Sequence, residues 1–326
     1  MASKSPLRII LGAANIGDTY KDKLAKFGTP EEVKSFLDYF YDRGYNSLDT
    51  ARAYSPGARG TSEPLLGVVG AGKRFNIDTK ILPHVEHPHT RDKIERNINE
   101  SLEALRVSQV DVEYLHRPDR TTPFEETCEA MNKAYIKGKF RRFGISNHTA
   151  EEVEQLVRIC EERGFIKPTV YQGQYNPIVR GGENDLFPVL RKHGIAFYAW
   201  SPAGAGIFAG KHRDAQPGGR YDTSHPLGEL YASWYVKPNI VSAVDRAVAT
   251  ATKFGISGHA AALRWTLHHG ILDGKHGDGI IIGASSTTQL EQNLDIVEAG
   301  PLPKEVVEAM NDIYSELAGE EISYHF

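Results

Sequence analysis

The sequence predicts an α/β protein folded as a (β/α)8 barrel, the TIM-barrel architecture, with a long loop after the seventh strand and a C-terminal helix followed by a tail. Three observations point there. Short runs rich in Val, Ile and Tyr alternate eight times with longer segments of helical period, the pattern of parallel strands covered by helices. The 326 residues exceed the roughly 250 that such a barrel needs, and the excess is gathered in two places. The doubly wound alternative would carry a G-x-G-x-x-G turn after its first strand, where this chain reads GAANIG.

The first strand is LRIILG, 7–12. PEEVKSFLDYFYDRG (30–44) follows as a helix, with Thr29 as N-cap, glutamates in the first turn and Gly44 after the last. YNSLDT (45–50) is the second strand and leads into a short helix near EPLLGVVG (63–70). The third strand, NIDTKIL (76–82), precedes the long amphipathic TRDKIERNINESLEALRV (90–107). VDVEYLH (110–116) pairs with the helix FEETCEAMNKAYIKG (124–138), and RRFGIS (141–146) with TAEEVEQLVRICEERG (149–164). TVYQGQYN (169–176) and DLFPVLRKHG (185–194) form the sixth unit. After IAFYAWS (195–201), residues 202–238 are rich in Gly, Pro and Ser and read as a loop far longer than an ordinary connection. Two helical segments then lead to the eighth strand, GIIIGAS (279–285). The helix PKEVVEAMNDIYSELA (303–318) and the tail EEISYHF (320–326) complete the chain. Neither an internal repeat nor a low-complexity linker divides it, so residues 1–326 read as one domain.

Composition narrows the function. A hydrophobic content of 40% is enough for a full core, and a net charge of −4 creates no strong field of either sign. Nucleic acid and anionic membranes are therefore not suggested as partners, and a small-molecule substrate is. No segment approaches the roughly 20 apolar residues of a membrane span, and the apolar stretch in MASKSPLRIILG is too short for a secretory signal. The expectation is a cytoplasmic protein without membrane insertion. Cys128 and Cys160 both sit in helical stretches and read as free buried thiols.

Barrels of this kind place their chemistry at the carboxyl ends of the strands. There the second strand delivers Asp49 and then Tyr54, the third Lys80, and the fourth His116. The fifth ends in Ser146 and Asn147, the sixth offers Gln172, the seventh Trp200 and Ser201, and the eighth Gly283 to Ser286. Lys80 is the most informative. A lysine between apolar residues in a central strand costs several kcal/mol unless a counter-charge meets it, and Asp49 is the candidate. A lysine so held beside a phenol is expected to lower the Tyr54 pKa from its usual value near 10, which makes Tyr54 a proton donor. Singly, the aspartate reads as a cap, the tyrosine as a rim aromatic and the histidine as a hydrogen bonder. Four such residues at the ends of three successive strands read as a device.

GYNSLDTARAY with SEPLLG at 62–67, the Lys80 strand, YLHRPD at 114–119, GISN at 144–147 and GASSTTQLEQN at 283–293 together resemble the aldo-keto reductases. YLHRPDRTTP, TVYQGQYN and QLEQNL are similar to the branch that contains the aflatoxin-aldehyde reductases. The resemblance runs over nearly the whole chain. It implies that Asp49, Tyr54, Lys80 and His116 form a catalytic tetrad, and that aldehydes and ketones are reduced with NADPH. Tyr54 would protonate the carbonyl oxygen and His116 would orient it. Ser146, Asn147 and Gln172 fall where the family holds the nicotinamide carboxamide. Trp200 falls where many members stack a tyrosine on the ring, and Ser201, Pro202, Ala203 and Gly204 continue that cofactor-binding stretch. Where many members place Lys and Arg around the 2′-phosphate, this chain has Gly283 and Gln289, so Ser285, Gln289, Gln292 and Asn293 with the helix start would serve. Lys211 and Arg220 would add cations from the long loop, and Trp234 would wall the substrate pocket with Tyr235, Tyr324 and Phe326.

Two other readings stay open. The potassium-channel beta subunits share this fold and cofactor site and act as regulatory partners of a membrane protein, and an alcohol or sugar dehydrogenase would run the same chemistry toward oxidation. A monomer or a homodimer fits either. The cluster His84, His87 and His89 lacks a completing carboxylate or thiol, so no metal is expected, nor at His268, His269 and His276. YIKGKFRR (135–142) reads as a solvated turn on the face away from the chemistry.

Overall fold

The computed structural model describes residues 5–83, 85–317 and 319–326. Eight parallel strands close into a barrel in chain order: β1 (Arg8–Gly12), β2 (Ser47–Asp49), β3 (Asn76–Lys80), β4 (Val110–Leu115), β5 (Phe140–Ser146), β6 (Pro168–Gln174), β7 (Ala196–Trp200) and β8 (Gly279–Ile282). Each strand binds the next, and β8 returns to β1. The helices of the first six units are α1 (Pro30–Asp42), α2 (Ser62–Val68), α3 (Arg91–Leu105), α4 (Phe124–Ile136), α5 (Ala150–Arg163) and α6 (Leu186–His193). After β7 come α7 (Pro226–Tyr235), α8 (Pro238–Lys253) and α9 (Gly258–His268), and after β8 come α10 (Thr287–Glu298) and α11 (Lys304–Ser315).

Local chemistry sets the helix ends. Thr29 begins α1 and Thr149 begins α5, each through a reciprocal capping box with the glutamate three residues on, Glu32 and Glu152. Gly164 closes α5 at φ 65°, a left-handed conformation that glycine adopts without a Cβ clash.

Strand periodicity divides the core in two. Ile10, Val112, Tyr114, Val170, Tyr198 and Ile281 fill the barrel interior, while a larger apolar layer lies between strands and helices. Because side chains alternate across a strand, the positions in register with that interior set also point inward. Lys80 lies opposite Tyr114, Gln172 opposite Tyr198, and Ser146 opposite Gln172. The fold thus turns polar residues into the barrel near the carboxyl ends of β3, β5 and β6.

Two expectations need correction. Residues 202–238 are not all loop: a 3-10 segment, Gly204–Ala209, and the helix α7 lie within them. Pro226 at the start of α7 presets the helical φ, and Gly228 lets the helix pack where a Cβ would lie 1.9 Å from the Asp222 carbonyl. The run 135–142 is not all solvated turn either. Arg142 turns into the amino end of the barrel, where it donates to Asp111 at 2.7 Å and to the Tyr198 hydroxyl at 3.0 Å. Asp78 is buried in this region, and desolvation with the nearby Asp111 charge holds its carboxyl well above the usual range.

Candidate active site

Lys80 is wholly buried at the end of β3, with its ammonium surrounded by oxygen. Nζ donates to both carboxylate oxygens of Asp49 at 2.7 Å, to the Thr50 carbonyl at 2.7 Å and to the Tyr54 hydroxyl at 3.4 Å. Below and beside it the aromatic faces of Tyr114 and Tyr54 lie 5.8 and 4.8 Å away. The His116 ring meets that of Tyr54 edge-on, with centroids 5.9 Å apart. The four strand-end residues are therefore one cluster. With its oxygen accepting from Lys80, Tyr54 keeps its own O–H for another acceptor at the mouth.

The electrostatics differ from expectation at Tyr54. Burial pushes its phenol up, Lys80 pulls it down, Asp49 pushes it up again, and the result lies above the ordinary value rather than below. The reason is that burial outweighs the ammonium, whose pull is also partly offset by the Asp49 charge beside it. Lys80 itself is held above the usual lysine value: burial lowers it, and the Asp49 charge and hydrogen bonds outweigh burial. Tyr54 thus retains its proton throughout the neutral range.

Gln172 enters the same cluster. Its side-chain amide is buried and donates from Nε2 to Asp49 Oδ1 at 2.8 Å. Just past the end of the neighbouring β5, Asn147 donates from Nδ2 to the His116 carbonyl at 3.0 Å and to Ser146 Oγ at 2.9 Å. Its own Oδ1 is buried with no partner among the described residues. Asn147 and Ser201 both hold positive φ, 63° and 51°, a strain that non-glycine residues show mainly at binding sites.

The other sequence-predicted residues spread along the rim. Trp200 is half-buried and its ring lies 6.3 Å from Trp234, which in turn packs against Phe326 at 5.8 Å. Ser201 and Pro202 are fixed through their carbonyls, by Asn176 Nδ2 at 3.0 Å and Thr266 Oγ1 at 2.8 Å. Ala203 and Gly204 follow, buried, with Tyr221 donating to the Gly204 carbonyl. Lys211 is exposed, and the exposed Arg220 lies over the Tyr231 ring at 5.6 Å. At the start of α10, both the amide and the hydroxyl of Ser285 donate to Gln289 Oε1. Gln292 is exposed, whereas Asn293 is buried, donating to the Gly283 carbonyl at 3.0 Å and meeting His259 at 2.9 Å. Asn293 thereby braces the turn at Gly283 from beneath. Tyr235 does not wall the mouth: it is fully buried and takes hydrogen bonds from Gln174 and Asn176. Tyr324 is turned to Asp185 at 2.7 Å.

The sequence profile of the Aldo/keto reductase family matches residues 8–315. The chain belongs to this family. Among its relatives, "Oxidoreductase sirO" of Leptosphaeria maculans is 40% identical over 94% of this chain and 93% of its own. The human "Aldo-keto reductase family 7 member A3" is 40% identical over 84% of this chain and 86% of its own. The human "Aflatoxin B1 aldehyde reductase member 2" is 39% identical over 86% of this chain and 81% of its own. Membership and oxidoreductase-named relatives support carbonyl reduction.

Three sets of contacts in this aldo/keto reductase lay beyond the reach of sequence reading, although Phe326 itself was expected at the pocket wall. Gln172 binding to Asp49 joins residues 123 positions apart. Arg117, the residue after His116, stacks its guanidinium 4.3 Å over the Phe326 ring, and the Phe326 amide donates to the Asn147 carbonyl at 3.3 Å. The tail therefore reaches the mouth. Lys26 in the β1 connection donates to the Gly218 carbonyl at 3.0 Å, which ties the segment after β7 to the connection after β1. Among the described residues no three His, Cys, Asp or Glu side chains converge on a metal position, and no helix is long and apolar enough to cross a membrane. His84 lies outside the described residues. Cys128 and Cys160 are buried and unpaired.

Proposed function

We propose that this protein is a cytoplasmic, NADPH-dependent reductase that converts aldehydes and ketones to alcohols, with the whole chain acting as one domain. The observation that carries the reading is Lys80 held between Asp49 and Tyr54 at the barrel mouth. A phenol kept protonated by burial is loaded to donate, and the developing alkoxide of a reduced carbonyl is a base strong enough to take its proton. Lys80 compensates the charge left on the phenol oxygen as that proton departs, and Asp49 keeps the ammonium in place. His116, edge-on to Tyr54, orients the carbonyl oxygen toward the phenol.

The residues around this centre fit a nicotinamide. A primary carboxamide offers two N–H donors and one carbonyl acceptor. Asn147 Oδ1, buried and unpartnered, and Gln172 Oε1 supply two acceptors, while Ser146 accepts from Asn147 and retains its hydroxyl proton to donate. NADPH, once bound, supplies the hydride. Trp200 offers the stacking face beside that seat, leading into Ser201–Gly204. At the start of α10, Ser285 would exchange Gln289 Oε1 for a phosphate oxygen, with Gly283 and Gln292 beside it. Lys211 and Arg220, on the segment that Lys26 ties to the connection after β1, would supply cations to the pyrophosphate. Trp234 walls the substrate side.

The test is NADPH consumption by the purified protein with a panel of aromatic aldehydes, semialdehydes and sugar-derived ketones. Turnover of at least one class supports the reading. Tight NADPH binding with no turnover across the panel would refute it.

A further inference from the structure

Gln172 does two jobs that pull on one amide. Its Nε2 lies 2.8 Å from Asp49 Oδ1, the oxygen that also accepts from Lys80 at 2.7 Å, and both Gln172 and Asp49 are almost entirely buried. The orientation of the amide is dictated by chemistry. An ionised carboxylate only accepts hydrogen bonds, so the NH2 end must face Asp49 and the Oε1 end must face away. That leaves Oε1 as the atom available to the proposed nicotinamide seat beside Ser146 and Asn147. The register agrees: Gln172 is level with Ser146 on the neighbouring strand.

We propose that Gln172 is a positioning residue that joins the cofactor seat to the proton donor through an unbroken hydrogen-bonded chain, Gln172 to Asp49 to Lys80 to Tyr54. The inference rests on the proposed function only for what occupies the seat; the chain itself consists of bonds within the protein. The Nε2 bond spreads the negative charge of Asp49 over a second donor, and the Asp49 charge is one of the influences that raises the Tyr54 pKa. Gln172 therefore moderates Asp49 and makes Tyr54 a better acid than the ion pair alone would. A hydrogen bond accepted at Oε1 polarises the amide and strengthens donation at Nε2, because bonds in a chain reinforce one another in a low-dielectric interior. Seating the cofactor thus reaches Tyr54 without contact.

Gln172→Met keeps the length and shape of the side chain and removes both functions. Gln172→Glu replaces a donor with a second negative charge beside Asp49. Gln172→Asn keeps the amide on a shorter stem. The ionisation of Tyr54 is read in the protein without cofactor by fluorine NMR, with fluorotyrosine incorporated to bring phenol ionisation into a range the fold tolerates. The Tyr54 signal is identified by its loss in Tyr54→Phe. The expected midpoint rises by about half a pH unit or more in Gln172→Met, rises further in Gln172→Glu, and lies between wild type and Gln172→Met in Gln172→Asn. NADPH affinity, measured separately by fluorescence quenching, falls about tenfold in Gln172→Met, the loss expected of one hydrogen bond.

An unmoved Tyr54 midpoint in Gln172→Met overturns the proposal, even with weakened NADPH binding, because Gln172 would then serve the cofactor alone. A moved midpoint with unchanged NADPH affinity overturns the joining of the two sites. If Gln172→Met does not fold, Gln172→Asn carries the same two readings with a smaller expected shift. Failure of the wild type to bind NADPH would instead sink the proposed function, and the midpoint comparison without cofactor separates the two failures.

Discussion

Lys80 Nζ sits 2.7 Å from both carboxylate oxygens of Asp49, and that pair stands between the phenol of Tyr54 and the floor of the barrel. Both partners are buried, so the attraction must offset the loss of two hydration shells. Lys80→Met would leave Asp49 as a buried charge with Gln172 as its remaining side-chain donor. Urea unfolding is expected to show a loss of about 3–5 kcal/mol together with collapse of turnover. Adding Asp49→Asn to Lys80→Met removes both charges, and a large part of the stability is expected to return while activity does not. A double variant no more stable than the single one would contradict the account of the pair.

Two histidines behind the site set an acid limit. Burial pushes His148 down to about 4 and His89 down to about 3, so both are neutral in the folded protein. In the unfolded chain each takes up a proton near the ordinary value of 6.5. The unfolded state therefore binds more protons between pH 6.5 and 4, and their contribution to stability is whole above pH 6.5 and is lost as pH falls through that window. For His148 the loss amounts to about 3 kcal/mol at the acid end. His148→Gln, whose amide can still donate to the Ser146 carbonyl that His148 meets at 2.9 Å, is expected to flatten the pH dependence of urea unfolding in this window. An unchanged slope would show that His148 is not the group being protonated.

Helix α2 follows the Tyr54 loop and is pressed against the end of α3. A Cβ at Gly67 would lie 2.0 Å from the Ala104 carbonyl oxygen and 3.0 Å from the Leu105 carbonyl carbon, both backbone atoms that cannot swing aside. Gly67→Ala is expected to cost about 1–3 kcal/mol in urea unfolding. Gly283→Ala, where nothing lies within 4 Å of the new Cβ, should stay within about 0.5 kcal/mol of wild type. Equal effects at the two positions would contradict the close packing of α2 on α3.

The barrel was legible because burial on both faces writes continuous apolar strands into the sequence, and Thr29 announces its helix as an N-cap that the structure repeats. The convergence of Asp49, Tyr54, Lys80 and His116 followed from their places at strand ends. What escaped depends on three-dimensional balance. The sign of the Tyr54 shift turns on how burial weighs against the pull of Lys80, which composition does not reveal. Helix α7 escaped because Gly and Pro inside 202–238 read as breakers, whereas here Pro226 starts the helix and Gly228 permits its contact. Arg142 was absorbed into a basic run, although its position on β5 turns it inward to Asp111.

The central claim is that Tyr54 gives up the proton while the residues around it hold the cofactor and carbonyl. Single-turnover reduction and NADPH affinity, measured side by side for Tyr54→Phe, test it most directly. The ring and its contacts with Lys80 and His116 survive that change, and the hydroxyl alone is lost. The account predicts a fall in the reduction rate of about a hundredfold or more, the usual weight of a general acid, with NADPH affinity nearly unchanged. A rate within a few-fold of wild type, or a collapse of NADPH affinity, would contradict it.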